Sequence, residues 1–512
     1  MPVIENLGSV GIITDRPDFS LPPEAWSAGQ NVRMNEGSVE KFLGHSQVFG
    51  APTVDPYFLL PVQTTTEFYW LYASLLKVYV TDGILHTDIT RTVGGDYSAT
   101  ADKNWTGVIF GGVPVLNNGF DEPQMWTPIG TGTKLQALTA WPASTTCNSL
   151  RSFKNFLVAM DVTKSGTRYP RLVKWSHSAS FNSVPSSWDE TDATKDAGEY
   201  ELADTRGDVI DGLQLNDSFI IYKEDSIWGM QFVGAPLVFR FYKITDQVGI
   251  FSKRCVAEWE GGHFAFGHND CIVTDGQSVR SVMDKRIRRE VYDNIDPDSY
   301  SSVFVVANRL RREVWVCYPT TGSSYCDKAA VWNWAEDTFG FRDLPDVSDA
   351  GYGIIQDGGA TDWDSDAGTW SSDSTIWDQR NFNPTQNSLV FASPSNSKMY
   401  AVDETNQEAG ANMTAYVQRT GLLLGAPDRV KWLTGVIPNM DASGPVEFYF
   451  AGQMSSKETP VWDGPYSFDP ANQHRVDCRV SHRYLGVKVQ SDTDIGWKLS
   501  GMEMEMVDSG AN

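Results

Sequence analysis

Phe68-Tyr69-Trp70-Leu71-Tyr72, a polar turn, then Val78-Tyr79-Val80-Thr81-Asp82-Gly83: this unit of two short strands and a Gly turn recurs along most of the chain. Val108-Ile109-Phe110 leads in the same way to Val113-Pro114-Val115-Leu116-Asn117-Asn118-Gly119. Further copies begin at Phe156, Phe219, Phe264, Val314 and Leu389, so the steps between first residues are 40, 48, 63, 45, 50 and 75. Short strands repeating every 40–50 residues or so are the mark of a β-propeller, in which each blade buries its faces only against its neighbours. The steps of 63 and 75 each require an insertion. Residues 357–387, rich in Gly, Ser, Asp, Thr and Trp and without a strand-like run, supply the second, and removing them brings that step to 44.

Outward from the repeats, the pattern changes at both ends. Residues 1–50 read as an N-terminal extension, with Asn35-Glu36-Gly37 as the turn of a hairpin between Asn31-Val32-Arg33-Met34 and Ser38-Val39-Glu40-Lys41-Phe42. Residues 51–410 hold the propeller, with 357–387 as a projecting loop. Residues 411–512 carry five or six alternating strands, among them Val446-Glu447-Phe448-Tyr449-Phe450 and Tyr484-Leu485-Gly486-Val487-Lys488-Val489, and read as a separate β-sandwich. No long amphipathic helix is visible, so the fold class expected is all-β.

The chain has 512 residues, a net charge of −24 and 18 Trp. An acidic surface of this kind does not grip nucleic acid, because phosphate contacts need Lys and Arg. Basic residues cluster twice, at Lys285, Arg286, Arg288, Arg289 and at Arg309, Arg311, Arg312; solvated hairpins or subunit contacts explain them best, with a phosphate or anion contact as the alternative. Six cysteines without C-x-x-C spacing read as free, buried thiols, as suits synthesis in a reducing cytoplasm. The N-terminus has no basic leader or apolar core of a secretory signal, and the longest apolar stretch, 69–80, is too short to span a membrane.

Catalytic motifs are missing: no G-x-S-x-G elbow, no phosphate loop, no H-E-x-x-H helix. His263 and His268 are the closest histidine pair and read as satisfied or exposed side chains. The best chemical candidate is Asp362-Trp363-Asp364-Ser365-Asp366-Ala367-Gly368. Asp362, Asp364 and Asp366 alternate before a glycine, like the oxygen-rich start of a calcium loop, but the closing acidic ligand is absent from its position. An acidic, solvated loop tip is the better reading. Neither reading makes an enzyme, and no cofactor is expected.

Two segments carry a family resemblance. Gly11-Ile12-Ile13-Thr14-Asp15-Arg16-Pro17-Asp18-Phe19-Ser20-Leu21-Pro22-Pro23-Glu24-Ala25-Trp26-Ser27, continuing through Asn31-Val32-Arg33 to Gly37-Ser38-Val39-Glu40-Lys41, resembles the opening of virion proteins from short-tailed bacteriophages. Arg312-Glu313-Val314-Trp315-Val316-Cys317-Tyr318-Pro319, followed by Ala330-Val331-Trp332-Asn333-Trp334-Ala335-Glu336-Asp337, resembles a blade common in phage and prophage proteins. The family is that of podophage tail nozzle and packaged-DNA stabilisation proteins. The resemblance implies a non-enzymatic structural protein of the virion tail, assembled in the host cytoplasm. It implies a homohexamer below a portal-proximal adaptor ring, with tail fibres or spikes docked around it. The charge of −24 per copy adds the expectation that genomic DNA passes through the lumen without tight binding, because carboxylates lining it would repel phosphate. The alternative is a glycan-binding or glycan-cleaving propeller on the virion, which would need carboxylates set around an axial pocket.

Overall fold

In the computed structural model, which describes residues 2–64, 67–234, 237–355, 387–425 and 429–511, these residues are all-β, with one short α-helix at Arg288–Asn294 and two 3-10 turns at Asp18–Ser20 and Tyr300–Ser302. Five four-stranded antiparallel sheets follow one another over residues 58–88, 106–137, 145–201, 209–245 and 256–281. Phe304–Asn308, Glu313–Tyr318, Cys326–Asn333 and Thr338–Val347 form a sixth. A seventh is built from Asp349–Ile354, Asn387–Ser393 and Lys398–Val402, and its fourth strand is His45–Val48 from the N-terminal region. The hairpins visible in the sequence are mostly the second and third strands of these sheets.

The first strand of each sheet packs on the first strand of the next, and Asp349–Ile354 packs on Phe58–Gln63, so the seven sheets described close into a propeller-like ring. Ring closure explains the sequence pattern. Phe68–Ala73 is buried along nearly its whole length because neighbouring sheets cover both its faces, so it reads as a continuous apolar run. Trp315, Phe304 and Cys317 of the sixth sheet meet Leu389, Phe391 and Tyr400 of the seventh in one such layer.

Two features differ from the sequence-based expectation. First, His45–Val48 belongs to the seventh sheet although it lies within residues 1–50; pairing the start of the chain with Lys398–Val402 near the end of the repeats ties the ring shut. Second, the C-terminal strands are not a separate unit. Ala415–Leu422, Tyr484–Ser491, Val446–Gln453 and Val461–Phe468 form one layer, with Ala28–Gln30 added at its edge. The facing layer contains Arg429–Ala442, Val476–His482 and Trp497–Ala511, and it takes up Val3–Glu5. The hairpin Val32–Asn35/Ser38–Lys41 then joins that layer to Thr338–Val347 of the sixth sheet. Glu36 and Gly37 both have positive φ, 50° and 70°, as a two-residue hairpin turn requires. Phe448, Phe450 and Val487 from one layer share a core with Leu433, Val436 and Met504 from the other. The insertion that the step of 63 requires is residues 176–197, between Thr167–Trp175 and Gly198–Glu201. The other insertion, residues 357–387, lies outside the described residues except for Asn387.

Candidate functional site

The ring brings charged side chains of its first strands to its centre. Asp211, on Val209–Leu215, has no exposed surface. It accepts hydrogen bonds from Ser149 Oγ at 2.5 Å, from Arg151 at 2.8 and 2.6 Å, and from the backbone N–H groups of Gly212 and Arg254. Arg254 in turn donates to Asp349 Oδ1 at 2.6 Å and to the Ser348 carbonyl, while Asp349 Oδ2 accepts the Leu59 N–H at 3.0 Å. Lys253 reaches from the head of the fifth sheet to the Asn104 carbonyl at the head of the second, 2.6 Å away. The fifth and second sheets stand on opposite sides of a seven-membered ring, so these side chains fill the axis.

Burial and charge decide the protonation of this network. Burial works to raise Asp211, but the Arg151 guanidinium and the hydrogen bonds from Ser149 and Gly212 outweigh it and hold the carboxyl below its usual range. Asp349 is pushed up, because its burial outweighs the help of Arg254. Burial, reinforced by the charge of Arg254, brings Lys253 down to about 7. Both axial carboxylates are therefore committed to guanidiniums and backbone N–H groups. This arrangement locks strands together; it does not present an acid and a base across a gap for glycoside chemistry.

Of the residues singled out in the sequence, Asp362, Asp364 and Asp366 lie outside the described residues. Among the described residues no cluster of His, Cys, Asp and Glu has the makings of a metal site. His263 is buried, hydrogen-bonded to the Tyr222 hydroxyl and the Gln214 carbonyl, and burial lowers it to about 4. All six cysteines are buried and free, including Cys255 and Cys271. The two basic clusters are separate. Arg286 binds Asp337, and the backbone N–H of Arg289 donates to the Asp15 carboxylate. Arg309 pairs with Glu258, and Arg311 with Asp403. No described helix is long and apolar enough to cross a membrane.

Sequence reasoning missed the axial network. Arg151 and Asp211 each look like an ordinary polar residue in a half-exposed strand, and 60 residues separate them. The one available signal is a charged residue after two apolar ones at the start of a first strand, Val209-Ile210-Asp211; the strand of Arg151, Thr145–Phe153, is mostly polar and gives none.

Fold and site together define an all-β, propeller-like scaffold with an ionically closed centre. No known family profile and no curated protein matches the chain. Among solved structures it is similar to the extracellular domains of two hybrid two-component systems of B. thetaiotaomicron. For BT3049 the identity is 10% over 86% of this chain and 49% of the other, with a TM-score of 0.39. For BT4673 it is 7% over 80% of this chain and 45% of the other, again with a TM-score of 0.39. The chain thus spans about half the length of either. A KlHsv2 variant with loop 6CD replaced by a Gly-Ser linker is 14% identical over 49% of this chain and 69% of its own, with a TM-score of 0.27.

Proposed function

We propose that the seven sheets are the blades of a β-propeller and that the chain is a structural subunit of a short-tailed phage tail, forming a nozzle or tail-tube ring. The observation that carries this reading is the meeting of the two segments with the family resemblance. They lie some 300 residues apart and pack into one structural unit. Ile12 N–H donates to the Phe339 carbonyl, and Val32 pairs with Phe341. Asn333 Nδ2 donates to the Met34 carbonyl, and Arg33 forms a buried ion pair with Glu313 at 3.2 Å. The resemblance therefore covers a joint between the ring and the C-terminal layers.

The closed axis adds a constraint. DNA cannot run through the centre of a single chain, so any channel must be framed by several copies around a common axis. The net charge of −24 per copy favours an acidic lumen, in which like charge would keep the duplex centred without a deep binding well. The commitment of Asp211 and Asp349 to arginines disfavours the glycan-cleaving alternative. The test has two arms: native mass of the purified protein, and electron microscopy of isolated tails carrying a C-terminal label. A cyclic oligomer and label density on the tail are expected. A strictly monomeric protein that releases sugar from host surface polysaccharide would overturn the reading.

A further inference from the structure

An open cleft of about 580 Å³ lies where three distant stretches meet: the hairpin 32–41, the turn 309–312 of the sixth sheet, and the loops flanking the long C-terminal strands. Arg33, Lys41, Arg311 and Lys498 line it, opposed by Glu40 and Asp441. In a chain of net charge −24, a cleft lined by more cations than anions runs against the overall charge.

The ion pairs behind the cleft are short of negative charge. Asp403 serves three guanidiniums at once: Arg33 at 2.8 Å, Arg342 at 3.5 Å and Arg311 at 3.6 Å. The only other carboxylate within ion-pair distance of the three, among the described residues, is Glu313, which touches Arg33. Burial raises Glu313 against the pull of Arg33, and the neighbouring Asp403 charge adds to the rise. Glu40 and Glu408 act on the cluster from further away. Arg342 has no exposed surface, yet none of its guanidinium nitrogens makes a hydrogen bond; the group rests near the faces of Phe42 and Trp315, 5.2 and 5.3 Å from their centres. A buried guanidinium left in this state calls for more negative charge nearby.

We infer that the cleft is a binding site for a small oxyanion, a phosphate or carboxylate group held by Arg33 and Arg311. The half-exposed guanidinium of Arg311 suits such a group at the rim, since it offers paired N–H donors to two oxygens, while Arg33, buried and bound to Asp403, adds positive charge from the wall behind it. The oxyanion arrives either as a free ion or as an acidic side chain of a second copy of this chain.

The full-length protein is titrated with inorganic phosphate at constant ionic strength, with chloride as the matched control, and followed by thermal unfolding and native mass. A free-ion site shows as a saturable rise in melting temperature specific to phosphate. A site filled by a neighbour's carboxylate shows as dissociation of oligomers when phosphate competes. In either case R311Q should weaken the phosphate response about tenfold, the loss of one charge-assisted contact, while R289Q, at the other basic cluster, leaves it unchanged. Should R311Q fail to fold, K498Q takes its place with the same expectation of a weaker response. Equal responses to phosphate and chloride, or a phosphate response that survives the cleft substitution, would overturn the proposal. A cyclic oligomer whose melting temperature and mass are both unchanged by phosphate would overturn it while leaving the nozzle reading intact.

Discussion

Replacing Asp211 by Asn should weaken the ring more than any surface change. Asp211 receives five hydrogen bonds, two of them from Arg151, whose side chain is only 17% exposed. Asparagine keeps the shape but loses the charge, and its amide turns a donor toward the Arg151 donors. Breaking a buried pair by removing one partner costs about 3–5 kcal/mol, because an uncompensated charge stays behind. Two lost charge-assisted hydrogen bonds at about 1.5–3 kcal/mol each give the same range. With a denaturant slope of about 3 kcal/mol/M, the urea midpoint of D211N should fall by about 1 M or more. The double variant R151M/D211L removes both charges and should recover most of the loss, since apolar replacement of a buried pair is often neutral. Urea titration of the two single variants, D211L and R151M, and of the double gives the coupling. A D211N midpoint within about 0.3 M of the parent, or additive losses in the cycle, would refute the view that this pair ties the blades together at the axis.

Other expectations concern pH, truncation and packing. His45 and His263 are held to about 3 and about 4 by burial, so their neutral forms stabilise the fold above about 6.5 and that stability is lost as pH falls toward 4; H263Q should flatten a pH series of urea midpoints over this window. Glu313 has the opposite sign: its folded value near 7 lies above the unfolded value, so its contribution is full below about 4.5 and fades as pH rises to 7. E313Q should remove that loss, and an unchanged pH slope would count against it. A chain ending at Gly410 loses the strands that pair with Val3–Glu5, Ala28–Gln30 and Ser38–Lys41. It should aggregate in size-exclusion runs unless residues 1–43 are removed as well. G351A places a Cβ 2.7 Å from the Trp70 ring and should cost about 1–3 kcal/mol by overpacking, read as a lower melting temperature.

The amino-acid sequence alone determined the all-β class and the repeat, because a strand covered on both faces must be apolar along its length, as Phe68-Tyr69-Trp70-Leu71-Tyr72 is. It also determined the hairpin at Glu36-Gly37, since a turn with positive φ at two positions leaves a local composition. The first strands were harder to see: a charge breaks the apolar pattern of Val209–Leu215, and Thr145–Phe153 is mostly polar. Only the tertiary structure decided that His45–Val48 closes the ring, that the hairpin Val32–Asn35/Ser38–Lys41 fuses the sixth sheet to the C-terminal layers, and that Arg151 meets Asp211. The physical reason is range. Turn chemistry and strand burial act over a few residues and leave local patterns, whereas strand pairing and buried ion pairs join residues hundreds of positions apart, and a lone Arg or Asp in a strand carries no mark of its partner.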